Sequence, residues 1–210
     1  MIQVVVIYDN QDHRCGKYFE ASQEWFVRKV KDSEGITLEV FDTDKCQNKP
    51  IQDYIQTLDE VPFIFVAYVH GSDDTLFVDS GEYINSSNAY FFGKTLFYAC
   101  SCLSANKLGR KLRKEGCRVF VGYKNKISSV RPETEPIFSM CENAFITHFL
   151  STGDTIQDSL TSMYDTYQEA ALYLSVFEGS VLERNLYSFE ILCNENDMLL
   201  TRDDFSYENF

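Results

Sequence analysis

The apolar positions of this chain fall into two kinds of run that alternate along it. Ile2-Gln3-Val4-Val5-Val6-Ile7-Tyr8 is nearly continuous and rich in β-branched residues, the pattern of a strand buried on both faces. Tyr18, Phe19, Phe26 and Val30 then recur at helical spacing across 17–31, and Gly35 closes the segment. Residues 36–41 alternate apolar and polar, which predicts a strand. Ile51, Tyr54, Ile55 and Leu58 fit a helix that Pro50 starts. Residues 63–69 form a second buried strand, and His70-Gly71 stands at its C-terminal end.

The pattern weakens over 72–93, where Leu76-Phe77-Val78 and Tyr83-Ile84 predict a small hairpin around Ser80-Gly81. Residues 95–99 are a third buried strand, which runs into Cys100-Ser101-Cys102. A helix over 104–115 follows, with Ser104 as its N-cap and Gly116 as its stop. The segment 118–123 reads as a strand, 136–150 and 155–177 as helices, and 188–193 as a last strand with an acidic tail behind it. Strands alternating with helices predict the α/β class, with one mostly parallel sheet flanked by helices. No linker, repeat or low-complexity tract interrupts the chain. One domain over 1–210 is therefore expected, with its core over about 1–125 and a helical part over about 133–180.

Composition narrows the classes. The chain has 210 residues, 44% of them hydrophobic and 15% aromatic, with only 4 prolines, which is a globular profile. A formal net charge of -13 makes duplex nucleic acid and anionic membrane poor partners. No apolar run approaches the roughly 18 residues of a membrane span. Met1 leads directly into the first strand with no signal-peptide pattern, so a cytoplasmic protein is expected. The seven cysteines (Cys15, Cys46, Cys100, Cys102, Cys117, Cys141 and Cys193) are scattered and odd in number, the usage of reduced thiols. No paired CxxC motif is present, so no metal site is expected, and no organic cofactor is implied.

Open α/β sheets build their sites beyond the carboxyl ends of the strands. Two reactive residue types stand there: His70 after one core strand, and the Cys100/Cys102 pair after the next. If these strands are neighbours, an imidazole and a thiol share one crevice, which is what a cysteine nucleophile needs. The helix expected behind Cys102 would lower its pKa, and the backbone N–H groups of Cys102 and Gly71 would serve as an oxyanion hole. Each residue alone has an ordinary explanation, since a buried cysteine is usually a small hydrophobe and a strand-end histidine a polar terminus. The pair at adjacent strand ends carries more.

At these residues the chain resembles the caspase–metacaspase–gingipain family, including the bacterial CHAT-type peptidases. The resemblance rests on the strand ending in His70-Gly71, the strand ending in Ser101-Cys102, the Cys102-Leu103-Ser104-Ala105 run, and the pattern from Leu108-Gly109 through 119–123. It covers about 60–125 and the first strands loosely. It implies a caspase-like fold, a cysteine endopeptidase activity with His70 and Cys102 as catalytic dyad, and a protein or peptide substrate. A bacterial effector of stress or phage defence is the role it suggests. Ala99-Cys100 imitates the Ala-Cys of caspases, so Cys100 stays open as an alternative nucleophile. Metacaspases carry an acid two positions before the nucleophile, where Cys100 stands here. Asp73 and Asp74 are then candidates for holding a basic substrate side chain, or else simple turn residues.

Eight cations occupy Lys107 to Lys126 against Glu115 alone. They read either as a solvated helix face or as a docking patch for an acidic protein partner. Two other classes stay open beside the peptidase: a catalytically inactive scaffold or regulator that kept the fold, and a nucleotide or phosphate binder. The latter ranks last because no GxGxxG or GxxxxGK[ST] run is present.

Overall fold

A computed structural model describes residues 1–44, 48–58, 61–78, 81–129 and 131–206. Cys46 and the hairpin tip at Ser80 lie outside these residues. The fold is α/β. Five parallel strands, β1 (Ile2–Tyr8), β2 (Ile36–Phe41), β3 (Ile64–Tyr68), β7 (Leu96–Cys100) and β8 (Val119–Tyr123), are joined at one edge by the antiparallel β9 (Phe189–Leu192). Their order is β2-β1-β3-β7-β8-β9. A second, three-stranded sheet links β4 (His70–Gly71), β5 (Leu76–Val78) and β6 (Gly81–Ile84). It contains the hairpin expected between β3 and β7.

The unbroken apolar runs are explained by burial on both faces. Val4, Val6, Tyr68, Tyr98 and Val121 point to one side, against α1 (Gly16–Val30), α4 (Glu135–Thr152) and α5 (Ile156–Ala171). Val5, Ile7, Phe65, Phe97 and Phe120 point to the other side. There they meet Ile51 and Ile55 of α2 (Asn48–Thr57), Leu108 and Leu112 of α3 (Lys107–Lys114), and the hairpin. Successive residues of a strand face opposite ways, so a sheet with two covered faces must be apolar at every position.

Two helix boundaries differ from expectation. The helix after Cys102 begins at Lys107, three residues later than the sequence pattern predicts. Residues 101–106 form turns, with Leu103 at a φ of 61°. Ser104 caps nothing; its hydroxyl donates to the Ser101 carbonyl and accepts from the Tyr123 N–H. The segment 155–177 is not one helix. It breaks after Ala171, and α6 (Val176–Ser188) starts afresh under a capping box in which Ser175 and Glu178 bond each other's backbone N–H. Arg131 clamps the same Glu178 carboxylate at 2.7 Å.

Candidate active site

β3 and β7 are hydrogen-bonded neighbours, with Tyr68 opposite Cys100. The expected adjacency of the two strand ends is therefore present. Beyond the ladder, the Ser101 hydroxyl donates to the Val69 carbonyl at 2.7 Å and ties the ends together. Gly71 packs so tightly on the next turn that a Cβ there would lie 2.5 Å from the Cys102 carbonyl oxygen. Its lack of a side chain is spent on this backbone approach. His70, Cys100 and Cys102 line one cleft of about 290 Å³. The 127–129 segment and Glu135 and Glu142 of α4 close its far side, so the cleft draws on residues beyond the predicted core boundary at 125.

The His70 ring is held from two directions. Phe19 of α1 meets it edge-on, with ring centroids 5.2 Å apart. Its Nε2 lies 3.3 Å from Asp12 Oδ2. The other oxygen of that carboxylate, Oδ1, accepts the backbone N–H groups of Arg14 at 2.9 Å and Cys15 at 2.6 Å. Burial opposes the Asp12 charge, yet the two N–H bonds and the histidine outweigh it and hold the carboxyl below its ordinary value. No hydrogen bond joins His70 to Cys102 among the described residues; the Cys102 sulfur contacts the Ile127 carbonyl at 3.7 Å.

The thiols do not behave as the helix argument predicts. Burial pushes the Cys102 thiol above its ordinary value, although the Ile127 carbonyl contact and Lys126 pull the other way. The helix expected to offset this burial starts later in the chain, and its first N–H groups, those of Lys107 and Leu108, both donate to the Asp73 carbonyl at 2.8 Å. Cys100 is fully buried, and burial and the neighbouring Glu142 push its thiol far up. Its sulfur lies 3.4 Å from Glu142 Oε2.

Asp73 has a structural occupation as well: its side chain accepts from Asn106 at 2.9 Å, so the loop after His70 caps α3. Asp74 is exposed and accepts the Ser72 hydroxyl. Within the basic segment, Lys111 pairs with Glu115, Arg113 and Arg118 both approach Asp197 at 3.7 Å, and Lys124 reaches Glu190 at 4.0 Å. Among the described residues, four of the eight cations have acidic partners, while Lys107, Arg110 and Lys114 are exposed.

Sequence reasoning missed Asp12, Cys15 and Glu142. Asp12 and Cys15 sit on the turn that enters α1, where nothing in the apolar pattern marks them. Glu142 is buried at the cleft floor, accepts the Tyr18 hydroxyl at 2.5 Å, and is pushed up to about 7 by burial, with Tyr18 and Cys100 opposing. A carboxyl inside an apolar helix was the available signal. Among the described residues no helix is long and apolar enough to cross a membrane. Compared with known proteins, the chain matches no family model and no curated sequence.

Proposed function

We propose that the chain is a cysteine endopeptidase in which Cys102 attacks a peptide carbonyl and His70 moves the proton. One observation carries this reading: an imidazole and a thiol stand at the ends of two hydrogen-bonded parallel strands and line the same cleft. With Nε2 facing Asp12, the Nδ1 nitrogen of the neutral ring is left to take the thiol proton. The sulfur then bonds the carbonyl carbon as the π pair moves to oxygen, where the Gly71 and Cys102 N–H groups receive it. His70 next gives its proton to the leaving amine as the C–N bond breaks. It takes one back from the water that releases the acyl group.

The reaction needs no metal or organic cofactor. The resemblance to the caspase–metacaspase–gingipain family supports the same chemistry. Its bacterial members support a role inside the cell in stress or phage defence, through cleavage of one protein. The exposed Lys107, Arg110 and Lys114 suit an acidic partner. The test is intact mass after treatment with a thiol-reactive peptide electrophile: a single adduct on Cys102 is expected, and none in the alkylated control.

A second reading is a catalytically silent scaffold. The raised Cys102 thiol and its lack of a hydrogen bond to His70 favour it. Absence of any adduct under conditions where an unrelated cysteine peptidase labels fully selects this reading.

A further inference from the structure

The geometry points to a metal site at the mouth of the cleft, in which Asp12, Cys15 and His70 bind a thiophilic divalent cation such as zinc. Their donor atoms all lie within 4.8 Å of one another. A tetrahedral zinc with ligands at about 2.0–2.3 Å holds its donors about 3.3–3.8 Å apart. Asp12 and His70 already meet that spacing at 3.3 Å, and the Cys15 sulfur stands within 4.8 Å of both.

The three groups are held in place by contacts independent of any metal. Asp12 Oδ1 is fixed by the N–H groups of Arg14 and Cys15, which leaves Oδ2 directed at the histidine. Cys15 is the last residue before α1, and Gly16 behind it packs on the Asn10 carbonyl, where a Cβ would come within 2.6 Å. No side chain fits there, so the turn carrying both ligands is closed against its own helix. The third ligand leans on Phe19 of that same helix. His70 is 41% exposed, which leaves room for water as a fourth ligand.

The charges also match. Cys15 releases its thiol proton to solvent as the sulfur–metal bond forms. One thiolate, one carboxylate and a neutral imidazole then neutralise a divalent ion. The first two ligands follow the spacing Asp-x-x-Cys, which is a weak signal in sequence because the third comes from another strand end. On the peptidase reading above, a filled site withdraws His70 from Cys102, so zinc is an inhibitor there. The binding itself does not depend on that reading.

The test uses the full chain, stripped with a chelator and titrated with Co²⁺, reading thiolate-to-cobalt charge-transfer absorption. One equivalent is expected to develop the band, and zinc to displace it. Cys15→Ser is expected to abolish the band and Asp12→Asn to weaken binding at least about tenfold, while Cys102→Ser leaves both unchanged. Each variant is first compared with wild type by thermal unfolding without metal. Should Cys15→Ser fail to fold, His70→Asn replaces it with the same expectation. No band in the wild type, or a band lost in Cys102→Ser and kept in Cys15→Ser, overturns the site. Zinc inhibition of peptide cleavage is measured separately: Cys15→Ser should need at least about tenfold more zinc. Metal binding without any peptidase activity removes the peptidase reading and keeps the site.

Discussion

The Asp12 carboxylate divides its two oxygens, giving Oδ1 to the turn that starts α1 and Oδ2 to the His70 imidazole at 3.3 Å. One side chain therefore sets both the entry of a helix and the orientation of a ring at the end of a strand. In the proposed reaction it is a positioning residue.

Asp12→Asn should lower kcat at least about tenfold, a part of the roughly 10²–10⁴-fold that a positioned acid–base supplies. KM should change little, because Asp12 touches no substrate. Asp12→Glu should recover a fraction of the loss. Steady-state kinetics on a cleaved peptide decides it; a matched rise in KM with kcat unaltered contradicts the positioning role.

Cys102→Ala and His70→Ala should each abolish cleavage and leave the thermal transition in place, since both side chains are partly exposed. Cys100→Ala should keep activity, because its thiol is buried and held protonated beside Glu142. Activity surviving in Cys102→Ala but lost in Cys100→Ala reverses the assignment of the nucleophile.

Gly71→Ala should destabilise the fold by about 1–3 kcal/mol, the usual cost of overpacking. The atom in the way is the Cys102 carbonyl oxygen, which belongs to backbone and cannot swing aside. The mutation should also reduce peptide cleavage by displacing the turn. Urea unfolding with an unchanged midpoint would mean that the two strand ends separate easily.

The pH dependence of stability should carry the signature of Glu142. Its folded value, near 7, lies above the ordinary 4.5. The stability this group contributes is thus fully present below about 4.5 and lost as pH rises through 7. That loss amounts to about 3 kcal/mol between pH 4.5 and 8. Glu142→Gln should flatten the dependence in that window while keeping the Tyr18 contact. Parallel curves for wild type and variant refute the assignment.

The sheet was legible because burial on both faces makes its strands apolar throughout. Residues 2–8, 63–69, 95–99 and 118–123 read as strands, and β1, β3, β7 and β8 occupy them to within a residue or so at either end. The His70 and Cys102 strand ends were found for the same reason. The start of α3 was misread because Ser104 looks like a cap, while the actual partner of the first N–H groups is the Asp73 carbonyl, a contact across the chain that leaves no local trace. The break between α5 and α6 did have a local signal, Ser175 three residues before Glu178, but the apolar pattern ran on past it. Asp12 and Cys15 matter only through their distance to His70, which no spacing in sequence expresses.

The antiparallel edge strand has a consequence for the order of assembly. β8 and β9 are neighbours in the sheet, yet the chain leaves at Tyr123 and returns only at Phe189. Within that excursion lie Ile127, whose carbonyl meets the Cys102 sulfur, and Glu142 at the cleft floor. Closing so long a loop is slow relative to pairing β1, β3 and β7. The strands that place His70 and Cys102 side by side are thus paired through short crossovers, whereas the wall that encloses them, with Ile127 and Glu142, belongs to the long excursion that closes more slowly.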